Sequence, residues 1–156
     1  MGVMLLLAAA CGAAAAAEPR SLALSQFELI DAMRELSSEE ARRETDRRIG
    51  LVSAELARQL ESRGMYRVLK TSHELRDCNG CELDIAKALG AERDALCWVQ
   101  KVSNLILNLN MEVRSVASGE TVYAKSVDIR GNTDESWLRG VRRLVDNIEE
   151  RQHHLR

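Results

Sequence analysis

The chain has 156 residues, with 22 Lys and Arg against 24 Asp and Glu, a formal net charge of −2 and 3% aromatic residues. The length supports one domain with a core and is too short for two of ordinary size. The balanced charge and the scarcity of aromatics exclude nucleic acid as a partner, since neither a basic field nor a base-stacking platform can be assembled. Arg42, Arg43, Arg47 and Arg48 are interleaved with Glu39, Glu40, Glu44 and Asp46, the pattern of a solvated helix face.

The first element, "VMLLLAAACGAAAAA" from Val3 to Ala17, is apolar and small. It is too short to span a bilayer, so no transmembrane span is expected, and Ala15-Ala16-Ala17 fits an A-x-A cleavage site. Residues 1–17 are therefore read as a signal peptide and 18–156 as a single exported domain, placed in the periplasm. A second reading makes "LLLAAACG" a lipoprotein signal, with Cys11 lipidated as a membrane anchor.

"SLALSQFELI" (21–30) alternates and reads as one strand. Ser37 and Glu40 form a capping box ahead of a helix whose Ala41, Ile49, Val52, Leu56 and Leu60 recur at helical spacing, with Gly64 as the C-cap glycine. "MYRVLKT" (65–71) is a second strand. "CELDIAKALGA" (81–91) is a short helix expected to bury Ile85 and Leu89 and to end at Gly90. Residues 94–131 are the most strand-like part. Leu105, Leu107, Leu109, Met111 and Val113 alternate with Ile106, Asn108, Asn110, Glu112 and Arg114, giving one dry and one wet face. Residues 96–114 as a single strand would reach about 60 Å at roughly 3.3 Å per residue, too long for this domain. The segment therefore breaks near Ser103-Asn104 into a hairpin, and a second turn at Ala117–Glu120 leads to a last strand at 121–130. A final helix, about 134–151, lines up Trp137, Val141, Leu144 and Ile148. The order β-α-β-α-β-β-β-α defines an α/β (α+β) fold. About five strands form a mixed sheet, the first three parallel and the hairpins antiparallel, with about three helices packed on it.

Cys78 and Cys81 in "DCNGCE" have C-x-x-C spacing. A redox pair wants a depressed thiol pKa, whereas Asp77, Glu82 and Asp84 crowd this one with negative charge. The best four-ligand metal set is His73, Cys78, Cys81 and Cys97, in which only the C-x-x-C spacing is typical, so no metal is expected. Glu82 stands where haem attachment needs His. The favoured reading is a structural Cys78–Cys81 disulfide in an oxidising compartment, with Cys97 a buried free thiol. "KVSNLILNLN" offers Lys101, Ser103 and Asn104 either as a polar site at the sheet's rim or as an ordinary hairpin turn, and the turn is favoured. No phosphate-cradling glycine loop, nucleophile elbow or spaced triad is present, so no catalytic residue and no cofactor is expected.

"SVDIRGNTDESW" (126–137) is a strand-to-helix junction: Gly131 permits the turn, Asn132 or Thr133 caps the helix, and Glu135 is placed to close a box from Asn132. Asp128 and Arg130 are left over on one strand face, with Asn132 and Asp134 close by. These four, with Asn108 and Asn110 on the wet face, are the candidate contacts for a partner. Asp128 and Arg130 are expected to pair with each other or with that partner.

Two resemblances follow from these stretches. "LGAERDALCWVQKV" and "VRSVASGETVYAKSV" hold the places of a strand and hairpin turn in the α/β domain class found at the N-terminus of the Tol-system propeller protein and in the curli-secretion lipoprotein. "DCNGCELDIAKALGA", "QKVSNLILNLN" and "DIRGNTDESWLRG" resemble a family of secreted bacterial proteins of unknown function, over roughly residues 22–148. The resemblance implies the fold class and an exported location and brings no activity. The sequence is thus read as a non-catalytic periplasmic accessory module that contacts another envelope protein. The rival reading is a small-ligand or metal carrier using the wet sheet face or the Cys78/Cys81/Cys97 cluster.

Overall fold

In the computed structural model the described residues are 18–71, 80–103 and 105–154. The chain runs β1 (Ser21–Leu24), β2 (Glu28–Ile30), a 3-10 turn (Arg34–Leu36), α1 (Glu39–Ser62), β3 (Arg67–Lys70), α2 (Glu82–Ala88), β4 (Arg93–Lys101), β5 (Ile106–Ser115), β6 (Thr121–Arg130) and α3 (Asp134–His154). The strands form one mixed sheet in the order β3-β1-β4-β5-β6, and β2 also pairs with β4. Pairings among β1, β2, β3 and β4 are parallel, and β4-β5-β6 is an antiparallel meander. This is the mixed α/β sheet that the element order implies.

The expected first strand is two. Leu24 stands opposite Ala95 and Glu28 opposite Trp98, so one extra residue bulges out between them. The cause is side-chain parity. Leu22 and Leu24 enter the main core two residues apart, but the next buried residue, Phe27, is an odd step away. A bulge resets the alternation. The Ser25 hydroxyl bridges it, donating to the Ala95 carbonyl (3.0 Å) and accepting from the Cys97 N–H (3.3 Å), while the Phe27 N–H donates to Ser53 Oγ (3.0 Å).

α1 begins one residue later than its sequence signature suggests. Ser38, not Ser37, accepts from the Ala41 N–H (3.2 Å), because the Ser37 hydroxyl is turned back onto the Met33 carbonyl of the 3-10 turn (3.3 Å). α1 and α3 pack together on one face of the sheet, around Val52, Leu56, Leu60, Leu107, Leu109, Met111, Val113, Trp137, Val141, Leu144 and Ile148. The stripe expected on α3 is thus buried as a whole. α2 covers part of the opposite face through Ala23, Ala86 and Ala91. Its buried residue is Ala86, with Ile85 half-buried and Leu89 44% exposed, contrary to expectation. The small side chains beneath it let the helix backbone, not its bulky residues, sit against the sheet.

The hairpin breaks and the dry face of β5 fall where the alternation places them, except that Leu105 belongs to the turn and is exposed. Asn110, expected on a wet face, is buried, and its Nδ2 donates to the Asn108 carbonyl (3.1 Å).

α3 meets the sheet closely at Gly140. A Cβ there would lie 2.6 Å from Ile129 Cγ2 and 3.2 Å from Leu109 Cδ2. Gly140→Val should therefore lower stability by about 1–3 kcal/mol through overpacking. Urea denaturation measures it, and an unchanged midpoint would show that the helix can lift off the sheet without cost.

Candidate functional site

The C-terminal ends of β2 and β4, the 31–37 segment, the first turns of α1, the β4–β5 hairpin and the β6–α3 junction converge at one end of the sheet. They enclose a cleft of about 770 Å³ lined by Asp31, Met33, Leu36, Glu44, Arg48, Lys101, Val102, Ser103 and Asn132, among others. Crevices beyond the carboxyl ends of parallel strands are where α/β sheets commonly hold ligands.

Each charged side chain lining this cleft is engaged. Lys101 Nζ lies 3.1 Å from Asp31 Oδ2, the two side chains 14% and 6% exposed. Arg48 is equally enclosed. Its Nε donates to Asp134 Oδ1 (2.9 Å), its Nη1 to Asn132 Oδ1 (3.2 Å), and its Nη2 lies 2.8 Å from Glu44 Oε1. Arg47 reaches the same Asp134 oxygen at 2.5 Å. Asn132 Oδ1 also accepts from the Trp137 indole Nε1 (2.9 Å), so one amide ties α1 to α3.

The rim is apolar. Six of the eight exposed large apolar side chains among the described residues gather here: Ile30, Met33, Leu36, Val102, Leu105 and Ile106. Leu36 is 79% and Leu105 68% exposed. Single exposed apolar residues are ordinary, but a contiguous group marks a contact surface.

The residues picked out from the sequence have separate fates. Ser103 belongs to the hairpin turn, its Oγ accepting from the Leu105 and Ile106 N–H groups (3.3 and 3.2 Å), and Lys101 enters the cleft. Asp128 accepts from the Asn108 amide across the β5–β6 pair. Arg130 is exposed, in register with Ile106. The cap of α3 is Thr133, in a reciprocal box with Ser136 (3.1 and 3.2 Å) and not Glu135. Cys97 is free and faces the α1–α3 core, where burial pushes its thiol far up and removes nucleophilic character. Cys81 precedes α2 on the other side of the sheet, so the structure does not bring Cys81 and Cys97 together. Cys11, His73, Cys78 and Asn104 lie outside the described residues. The described residues hold no gathered group of three or more metal-ligating side chains.

Sequence reasoning missed Asp31, Arg48 and the apolar rim. Asp31 and Arg48 meet their partners only through the fold. The rim had a signal: Met33, Leu36 and Val102 are apolar residues assigned to no face of any strand or helix.

A second charged cluster lies under α2. Arg114 donates to the Asp94 carboxylate through Nε (3.1 Å) and Nη2, with Glu82 Oε2 3.9 Å away. The Asp94 side chain is 3% exposed, and burial raises its pKa against the opposing pull of Arg114.

Three carboxylates on or beside α1 are shifted the other way. Arg58 holds Glu55 down to about 2, Arg47 lowers Glu44, and Arg47 and Arg48 lower Asp134. A depressed folded-state pKa stabilises above the ordinary value, and that contribution is lost as pH falls through the folded value. The urea midpoint should accordingly decline between about pH 4.5 and pH 2. A flat profile over that window would show these pairs to be without energetic weight.

The sheet order and helix placement define a class of small mixed α/β domains with solved members. The PelC dodecamer from Paraburkholderia phytofirmans superposes with a TM-score of 0.60 at 12% identity, over 86% of this chain and 90% of that one. Lipoprotein GNA1162 from Neisseria meningitidis gives 0.50 at 14% identity, over 83% and 95%. At these identities the likeness is one of fold. Residues 20–148 match DUF3280, described as "Protein of unknown function (DUF2380)", and the chain belongs to this family. Comparison with curated proteins found no match. Among the described residues no helix is long and apolar enough to cross a membrane.

Proposed function

We propose that this protein is an exported, non-catalytic accessory module of the bacterial envelope that works by contact with another protein. The observation that carries the reading is the end cleft: its charged groups neutralise one another, and its rim is apolar. A reaction centre needs a group poised to give or take a proton or to attack. Here Lys101, Arg48, Asp31 and Glu44 are already committed, while the exposed Met33, Leu36, Val102 and Leu105 await cover. The same commitment weighs against the carrier reading, because a charged ligand would first have to break an enclosed ion pair.

Residues 1–17 are proposed to direct export to the periplasm, or Cys11 to anchor the protein as a lipoprotein. A Cys78–Cys81 disulfide would then hold the loop before α2. A fold shared with a lipoprotein and with a protein that forms a dodecamer supports an envelope role built on assembly. The sequence resemblance of 89–102 and 113–127 to the Tol-propeller and curli-secretion class is read in the same sense. Asn108, Asp128, Arg130 and Asp134 flank the rim and would extend the contact.

A photo-crosslinking amino acid placed at Leu36 or Leu105 in the producing cell should yield adducts of discrete higher mass. The same group at Arg143 on the exposed side of α3 should not. Equal labelling at all three positions would overturn the assignment.

A further inference from the structure

Resting on the reading of this protein as a contact module, we propose that the outer edge of β6 takes an extended, acidic segment of another envelope protein as an added antiparallel strand. β6 is the last strand of the sheet, and its pairing with β5 runs unbroken from Tyr123 to Arg130. The Gly131 N–H donates to the Leu105 carbonyl (2.8 Å), which fixes the phase of that ladder. In an antiparallel pair, facing residues exchange hydrogen bonds only at every second position. Tyr123, Lys125, Val127 and Ile129 therefore turn their main-chain groups towards β5. The N–H and C=O groups of Ala124, Ser126, Asp128 and Arg130 turn outward, and none has a hydrogen-bond partner among the described residues. All four residues are exposed. Such a row of donors and acceptors is the seat that strand addition uses.

Charge selects the occupant. Lys125 and Arg130 make no ion pair among the described residues, whereas Asp128 is engaged by the Asn108 amide. The two cations lie five residues apart and so point to opposite faces of the sheet. An incoming strand with carboxylates at that spacing meets one cation on each face, and opposite charges on facing strands attract.

The same charges disfavour a second copy. A two-fold pairing of β6 with itself, centred on Lys125 or Asp128, sets that charge directly against its equal. Centred on Ser126 or Val127, it brings Lys125 or Asp128 onto the diagonal from its own copy, where like charges still repel. Centred on Ala124, it runs into the bulge at Val122, which the Val113–Tyr123 and Arg114–Thr121 pairs flank. Centred on Ile129, it leaves only Asp128 to Arg130 to pair before the turn into α3.

The probe is the synthetic peptide Thr-Asp-Val-Thr-Val-Thr-Asp-Thr-Val, whose two carboxylates oppose Arg130 and Lys125 in the antiparallel register. Added to the full chain at millimolar concentration, it should slow amide hydrogen exchange at Ala124, Ser126, Asp128 and Arg130 about tenfold or more, read by NMR. N-methylation of its fourth and sixth residues, whose N–H groups face β6, should abolish the effect. N-methylation of its fifth, which faces away, should not. Replacing both carboxylates by lysine should weaken binding about tenfold or more. Ser126→Pro removes an outward N–H that the fold does not use and should weaken binding by about the same factor, with the circular dichroism of the free chain unchanged.

No slowing of exchange at millimolar peptide overturns the proposal, as does equal binding by the lysine peptide or by the peptide methylated at the fourth and sixth residues. Slowing of the same amides that grows with the concentration of the chain alone puts a second copy on the edge and overturns it too. None of these failures touches the contact-module reading, which stands or falls on the adducts at Leu36 and Leu105.

Discussion

Trp137→Ala should cost about 3–5 kcal/mol, the range for removing a buried indole, and leave the domain close to unfolding. Trp137 is fully buried between α3 and the sheet, and its indole N–H is bonded to Asn132 Oδ1. Truncation opens a cavity in the main core. It also removes one of the two donors that fix the Asn132 amide, leaving Arg48 as the remaining donor to that oxygen. Trp137→Phe separates the two effects, because it keeps most of the volume and loses only the hydrogen bond. It should cost roughly 1–2 kcal/mol. Urea titrations followed by far-UV circular dichroism measure both. A loss below 1 kcal/mol for the alanine variant would show that α3 does not depend on its first buried apolar residue.

Arg114→Met is the second large effect and the more diagnostic one. The substitution keeps an apolar stem and removes the cation, leaving Asp94 as an uncompensated charge beneath α2. Breaking a buried pair from one side costs about 3–5 kcal/mol at neutral pH. The sign of the pH dependence follows from the Asp94 carboxyl, which burial already raises in the intact pair. A carboxyl with a raised folded-state pKa contributes stability below its unfolded value and loses it as pH rises through the folded value. Without Arg114 the raising force is unopposed. The penalty of the variant should therefore be full at pH 7 and shrink as the solution is acidified towards the ordinary Asp value near 3.8. Adding Asp94→Leu should recover most of the loss at pH 7. An equal penalty at both ends of this pH range would mean that lost packing, not the bared charge, sets the cost.

Much of the fold was legible because the informative residues are local. The alternation from Leu107 to Val113 marks one face of β5. Trp137, Val141, Leu144 and Ile148 mark one face of α3, and Gly64 and Gly90 sit at helix ends with positive φ. The misses have local causes too. Ser37 and Ser38 are equivalent as cap residues on paper, and only the 3-10 turn that occupies Ser37 decides between them. The step from Leu24 to Phe27 breaks the alternation and announced the bulge, but a three-residue interruption is easily absorbed into one strand.

The site was less legible, for a different reason. Lys101 and Asp31 are 70 residues apart, and Arg48 and Asp134 are 86 apart. No pattern within a window can join them. Asn132 was visible as a junction residue, yet its two donors, from Arg48 and Trp137, assign it to internal bracing of the helices.

The pairing of β1 also governs the order in which the molecule can assemble. Its two neighbours arrive late: Ser21 pairs with Arg67, and Leu22 with Arg93. Until most of the chain has been made, the first strand has no complete berth, and β4, β5, β6 and α3, which are contiguous, are the last to be made. Closing such long loops before any contact rewards them slows folding. A nascent chain of this topology cannot complete its sheet until the residues of β4 that pair with β1 have been made.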